Sequence, residues 1–149
     1  MRIFRDHAHL EEVLGGATKW DRTLQALRAD GRLPGVMYSV GDSLTAMRAR
    51  TVALATDGLL ARRRYQCVLS PVDGDAEVDV APVATLDAAD TYSDLTDRQH
   101  LRGDGERHTV PRGAVLVADP DEAVRILPIP DTTVVVAYVT VEGATFHNK

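Results

Sequence analysis

Apolar residues recur at helical spacing near the start of the chain. A first group follows Asp6 and ends at Gly15-Gly16, and a second begins at Thr18, placed as an N-cap, and ends before Gly31. Because residues three and four apart share one helix face, each group predicts a short helix with one apolar stripe. The apolar positions are Leu10, Val13 and Leu14 in the first group, and Trp20, Leu24 and Leu27 in the second.

Beyond residue 35 the pattern changes to short β-rich runs separated by Gly, Pro and Asp, which is typical of a sandwich or barrel. A hairpin is predicted over 63–82, with Asp73-Gly74 as its turn. Both faces of the run at 132–141 are apolar, which predicts a central strand, and the polar segment 92–105 is interpreted as a loop. Further strands are predicted over 85–89, 106–110, 114–118 and 123–127.

Composition narrows the class of protein. The 149 residues, 44% of them hydrophobic, are expected to form one domain over 1–149. A net charge of -5 argues against nucleic acid as a partner. The chain lacks an apolar run of roughly 20 residues and an N-terminal signal pattern, so neither membrane insertion nor export is expected. One cysteine, Cys67, agrees with the cytoplasmic location that these features predict.

Five stretches carry a resemblance to a known family. They are PGVMYSVGDSL at 34–44, RRY at 63–65, AP at 81–82, DEAVR at 121–125 and the terminal FHNK. In their order and spacing the chain resembles the YhcH/YjgK/YiaL family, which includes the small subunit of evolved β-galactosidase. The resemblance implies a cupin-like double-stranded β-helix, a jelly-roll sandwich, preceded by two short helices. It also implies a role in sugar metabolism, with metal-dependent interconversion of sugar anomers in some members and accessory or biofilm roles in others.

The positions that hold a divalent metal in that family are replaced in this chain. The resemblance places its first histidine at Arg62 and its further histidine at Asp121. The Glu-x-His pair falls on Cys67 and Leu69, which share one face of a strand because they are two residues apart. Since leucine has no lone pair to donate, we expect no metal cofactor. Residual zinc on Cys67 and Asp121 is the alternative.

Six residues are candidates for a sugar site. Asp121 and Tyr138, which stands where the family often has lysine, are the candidate catalytic acid and base. The candidate substrate-binding residues are Arg62, Arg64, Cys67 and Leu69. Arginines of the 62–64 cluster would hold a carboxylated sugar such as a uronic or sialic acid. Each candidate has a structural alternative: a buried small hydrophobe for Cys67, a turn residue for Asp121, and a solvated strand end for the arginines.

Two functions follow from these features. The first is a sugar-binding protein with a degenerate metal site, acting as a glycosidase accessory subunit or as a weak sugar anomerase, a mutarotase. The second is a metal-dependent sugar isomerase with a rebuilt site. A thiol-dependent protein built around Cys67 is a third and less favoured hypothesis. The expected partners are a free sugar, a second copy of the chain and a glycosidase.

Overall fold

Two six-stranded antiparallel sheets face each other in the computed structural model, which describes residues 1–29 and 34–141. The predicted helix stop at Gly31 and the terminal FHNK lie outside the described residues. The first sheet has the strand order β1-β10-β5-β12-β3-β2, and the second has the order β7-β8-β4-β11-β6-β9. The strands of the first sheet are β1 (Arg2–Phe4), β2 (Tyr38–Val40), β3 (Leu44–Arg50), β5 (Tyr65–Pro71), β10 (Val115–Ala118) and β12 (Thr133–Thr140). Those of the second are β4 (Leu59–Ala61), β6 (Ala76–Pro82), β7 (Asp87–Ala88), β8 (Gln99–Arg102), β9 (Glu106–Val110) and β11 (Glu122–Ile126).

The connections between the sheets make this fold a jelly roll. Strands β10-β5-β12-β3 of the first sheet face strands β4-β11-β6-β9 of the second, and the chain passes repeatedly from one sheet to the other. This is the arrangement of an eight-stranded jelly roll built from Greek keys. Strands β1 and β2 extend the first sheet, whereas β7 and β8 extend the second. The predicted mainly-β jelly-roll fold is confirmed.

Both predicted N-terminal helices are present, α1 over His7–Leu14 and α2 over Thr18–Arg28, and a single helical turn, α3, covers Thr51–Leu54. Asp6 caps α1, because its side chain accepts the backbone N–H of His9 at 2.8 Å. The predicted N-cap of α2 is wrong by one residue: Thr18 is the first helical residue, and Ala17 precedes it without a side-chain cap. No helix within the described ranges is long and apolar enough to cross a membrane.

The predicted hairpin over 63–82 is wrong in its pairing, although both of its strands exist. Strand β5 belongs to the first sheet and β6 to the second, so the turn between them crosses the sandwich. The Asp73 side chain accepts the N–H of Thr133 at 2.7 Å, which ties this turn to the start of β12. Val68 and Leu69 are both fully buried, because one face of β5 packs against the N-terminal helices and the other against the second sheet. Along its edges, β5 pairs with β10 and β12.

Two other local predictions need correction. The segment 92–105, interpreted as a loop, contains strand β8, which pairs with β4 and β7. The strand predicted over 85–89 is instead a 3₁₀ turn at Val83–Thr85 followed by the two-residue β7. In contrast, β9 to β12 lie where strands were predicted, and β12 is central, between β3 and β5.

The first sheet is buried on both faces, which explains why the pattern of β12 is apolar throughout. Val135, Ala137 and Val139 pack with residues of α1 and α2 in one core. Val134 and Val136 pack between the sheets in a second core. Successive side chains of a strand point to opposite faces, so Tyr138 lies on the same side as Val136, between the sheets. This alternation directs Tyr138 towards the interior of the sandwich.

Candidate functional site

A cleft lies between the two sheets, close to the start of β5 and the end of β12. It has a cavity volume of about 60 Å³, which is below the usual range for a small-molecule site and admits only part of a ligand. Its walls include the apolar side chains Leu54, Leu60, Val124 and Ile126. Its polar lining residues are Thr56, Arg62, Tyr65, Cys67, Asp119, Glu122 and Tyr138. The cleft therefore combines an apolar wall with a few convergent polar groups, as ligand pockets do.

Arg62 and Tyr138 form the central contact of the cleft. The guanidinium carbon of Arg62 lies 3.8 Å from the centroid of the Tyr138 ring, which is a cation–π contact. Burial raises the pKa of the Tyr138 phenol, and the neighbouring Cys67 adds to this, whereas the positive charge of Arg62 opposes it. Tyr138 therefore keeps its proton at neutral pH and can donate a hydrogen bond into the cleft.

Cys67 lies opposite Tyr138 in the register between β5 and β12. Burial raises the pKa of its thiol to about 11, although the charge of Arg62 partly opposes the shift. At neutral pH the sulfur is therefore a protonated thiol, which is a poor nucleophile and a poor metal ligand. Its position matches the structural alternative given above, a small hydrophobe at the edge of the inter-sheet core.

The remaining candidates lie outside the cleft. Leu69 shares the inward face of β5 with Cys67, but its relative exposure is 0% and it belongs to the core beneath the cleft. Asp121 borders a side hollow, which is also lined by Arg62, Arg63 and Tyr92. The structure thus brings Arg62, Cys67 and Tyr138 together in the cleft, buries Leu69 beneath it and places Asp121 in the neighbouring hollow.

Arg64 is held at the surface beside the segment that precedes β8. Its guanidinium donates to the carbonyl oxygen of Asp94 at 2.8 Å and lies 3.8 Å from the Asp94 carboxylate. It lines none of the three hollows described for this part of the molecule. Its contacts fit the interpretation of the arginine cluster as a strand end with local ion pairs.

Sequence reasoning did not select four polar residues of the cleft, Thr56, Tyr65, Asp119 and Glu122. Glu122 accepts the backbone N–H of Asp119 at 3.0 Å, and Asp119 accepts the Gln66 side-chain amide at 2.9 Å. A signal for Glu122 was present, because it alternates with Val124 and Ile126 on the inward face of β11. The preceding residue, Asp121, lacks that alternation and lines the side hollow, although its carboxylate lies close to those of Asp119 and Glu122.

The family's metal site does not fit the residues found here. Its four positions hold a cation (Arg62), a protonated thiol (Cys67), a buried alkyl group (Leu69) and a carboxylate outside the cleft (Asp121). Among residues 1–29 and 34–141, three carboxylates have candidate ligand oxygens within 4.8 Å of one another, those of Asp119, Asp121 and Glu122. Two of these already accept protein hydrogen bonds, and exposed acidic groups often cluster without an ion.

The cleft adjoins a wider outer basin of about 550 Å³, which lies within the usual range for a small-molecule site. The two spaces share Leu54, Thr56, Leu60, Arg62, Tyr65 and Tyr138. The basin adds Arg98 on its polar side and Met37 and Met47 on its apolar side. The charge of Arg98, like that of Arg62, partly opposes the rise in the pKa of the Tyr138 phenol. The entrance to the cleft thus carries two guanidinium groups.

No family model matches the chain. Among solved structures, it is similar to hydroquinone 1,2-dioxygenase from Sphingomonas sp. TTNP3, with 15% identity over 76% of this chain and 70% of that one, and a TM-score of 0.48. A cupin protein from Bacteroides fragilis shows 10% identity over 78% of this chain and 86% of its own, with a TM-score of 0.45. Since both TM-scores lie below 0.5, the fold assignment rests on the strand order of the chain itself.

Proposed function

We propose that the chain binds a small carboxylated sugar, such as a uronic acid, in the outer basin and the cleft behind it, without the help of a metal. The observation that carries the proposal is the guanidinium of Arg62, 3.8 Å above the ring of Tyr138 on the wall of the cleft. Stacking on an aromatic ring presents the guanidinium edge for contacts to a carboxylate, which matches its fork geometry. Arg98 adds a second positive charge at the entrance.

The other lining groups suit the rest of a sugar. Carboxylate oxygens of Glu122 and Asp119 are acceptors for hydroxyl groups, and the Tyr138 phenol is a donor. Met47, Leu54 and Leu60 line the basin and offer an apolar wall for the C–H face of a pyranose ring. The resemblance of the sequence to the YhcH/YjgK/YiaL family supports a sugar rather than another small acid as the ligand.

Calorimetric titration with galacturonate, glucuronate and N-acetylneuraminate, each compared with galactose and glucose, tests this proposal. We expect at least one carboxylated sugar to bind more tightly than its neutral counterpart. Arg62→Gln should weaken that binding by roughly 10- to 100-fold, because a hydrogen bond to a charged group contributes about 1.5–3 kcal/mol. Arg102→Gln is the matched control, since Arg102 is exposed and donates to the Ala88 carbonyl on the far sheet edge. Equal binding of acidic and neutral sugars would contradict the proposal.

Within this function we favour an accessory, non-catalytic role over a sugar anomerase. Anomer exchange needs an acid and a base at the same sugar, and the candidates Asp121 and Tyr138 border different spaces. The metal-dependent isomerase is disfavoured for the reason given above, the poor fit of the ligand positions. In this role the protein acts in the cytoplasm, as a homodimer or with a glycosidase. Co-purification of a glycosidase would support it, whereas acceleration of anomer exchange in NMR saturation-transfer experiments would favour the enzyme.

A further inference from the structure

Asp97 is a buried carboxylate next to the cleft, with a relative exposure of 2%. Its carboxylate accepts the backbone N–H groups of Arg63 at 2.8 Å and Arg64 at 3.2 Å. It also accepts a short hydrogen bond from the hydroxyl group of Tyr92. Three donors therefore converge on one side chain of the segment between β7 and β8, a segment that the sequence indicated only as a polar loop.

The partners of Asp97 surround Arg62. Two of them are the backbone amides of the next two residues along the chain, and the carbonyl oxygen of Asp97 accepts the Arg62 guanidinium at 3.4 Å. Tyr92 contributes on the other side, because its ring lies 3.8 Å beneath the guanidinium of Arg63. The side chain of Arg62 and the backbone of the two residues that follow it are thus tied to a single residue, 35 positions from Arg62.

We propose that Asp97 is a positioning residue: it holds the Arg62 guanidinium over Tyr138 and thereby gives the cleft its preference for anionic ligands. The ligand part of this inference rests on the function proposed above, whereas the positioning of Arg62 does not. A buried carboxylate with three hydrogen-bond donors is a rigid anchor, since losing an acceptor leaves a buried donor unpaired.

The backbone at this position favours the residue type found there. Asp97 has φ +51°, in the left-handed region that aspartate and asparagine tolerate better than other side chains do. Asp97→Asn therefore keeps the backbone preference and the size of the side chain. It replaces one acceptor oxygen with an N–H₂ group, which then faces the backbone amide of Arg63 or of Arg64. The substitution therefore breaks at least one of the three hydrogen bonds of the anchor without forcing a change of backbone.

Nuclear magnetic resonance tests the positioning without any ligand. A guanidinium stacked on an aromatic ring has its side-chain resonances shifted upfield, and comparison with Arg62→Lys assigns the Arg62 signals. We expect the Asp97→Asn variant to lose this shift while its unfolding stays cooperative. Asp94→Asn is the control from the same segment, because the Asp94 side chain is 92% exposed and forms its ion pair with Arg64. It should leave the Arg62 signals unchanged.

If Asp97→Asn fails to fold, Tyr92→Phe provides the test. It removes one hydrogen-bond donor to Asp97 and should partially reduce the upfield shift of the Arg62 resonances.

Binding then tests the consequence for selectivity. Asp97→Asn should lower the preference for galacturonate over galactose by roughly tenfold, comparable to the loss of one charged hydrogen bond. In an Arg62→Gln background it should have no further effect, whereas a general structural role would weaken binding in both backgrounds. Retention of the Arg62 shift in both folded Asp97→Asn and Tyr92→Phe would overturn the inference. If neither sugar binds the wild-type protein, the proposed sugar-binding function is wrong. The NMR comparison of the Arg62 resonances needs no ligand, so it still tests whether Asp97 positions Arg62.

Discussion

Leu69 is a structural residue of the inter-sheet core, although the family resemblance placed it at a ligand position. Its side chain is fully buried, so Leu69→Ala should lower the free energy of unfolding by about 2–5 kcal/mol. Leu69→Met keeps the volume and should cost less than about 1.5 kcal/mol, with sugar affinity unchanged. Urea denaturation and calorimetry measure the two effects. Loss of binding in a Leu69→Met variant of normal stability would instead make Leu69 part of the site.

The thiol of Cys67 should react slowly at neutral pH. Because burial raises its pKa to about 11, little thiolate exists below pH 9, and alkylation by iodoacetamide should accelerate only as the pH approaches 11. Arg62→Gln should move the midpoint of this profile upwards, since the charge of Arg62 lowers the pKa of the thiol. Mass spectrometry of the single cysteine gives the rates. Rapid labelling at pH 7 would revive the hypothesis of a thiol-dependent protein.

The same shift links Cys67 to folding. In the unfolded chain the thiol ionises at its ordinary pKa, whereas in the folded chain it keeps its proton until about pH 11. The unfolded state therefore binds fewer protons within that interval. The contribution of Cys67 to stability is present below the interval and is lost as the pH rises through it.

At the scale of single elements, the cap of α1 is a feature that the sequence predicts and the structure confirms. Asp6→Ala removes the acceptor of the His9 N–H, so it should destabilise the protein by about 0.5–2 kcal/mol. Asp6→Ser supplies another capping oxygen and should restore most of the loss. Thermal unfolding of the two variants measures the difference. Equal destabilisation by both would show that Asp6 acts through something other than its cap.

Local patterns predicted both N-terminal helices and the strands β5, β6 and β9 to β12, but not β1 to β4 or β8, and not how the strands pair. Asp73-Gly74 is a sound turn signal, yet nothing near it reveals that β5 finds its neighbours in β10 and β12, which follow much later in the chain. A turn is local, whereas the edge partners of a strand depend on segments far away in the sequence. The hairpin interpretation failed because β5 and β6 find their partners in different sheets.

Strand alternation predicted part of the site. It indicated that Cys67 and Leu69 share a compartment, and they do, but alternation gives the direction of a side chain and not its depth. On β11 the same rule favours Glu122 over Asp121, because Val124 and Ile126 face inwards with Glu122. Asp97 could not have been selected this way, since two of its three hydrogen-bond donors are backbone amides more than 30 residues away.

At the scale of the whole molecule, we expect the purified protein to carry little transition metal, because the cleft offers few groups that could act as metal ligands. Zinc sites need about three or four protein ligands, and the cleft offers a protonated thiol and carboxylates beside the positive charge of Arg62. Protein purified without chelators should hold far less than one zinc per chain by elemental analysis, and Cys67→Ala and Asp121→Ala should not change the value. Near-stoichiometric zinc that falls in either variant would instead indicate a rebuilt metal site.

The place of β12 has a consequence for how the chain is made. It is the last strand of the described chain, yet it lies in the middle of the first sheet, between β3 and β5. During synthesis those two strands emerge long before the partner that joins them, and β1 must wait for β10. Unpaired strand edges are aggregation-prone, and non-local pairing is slow. We therefore expect β3 and β5 to be joined through β12 only after residue 140 has left the ribosome. Until then their unpaired edges need protection from aggregation.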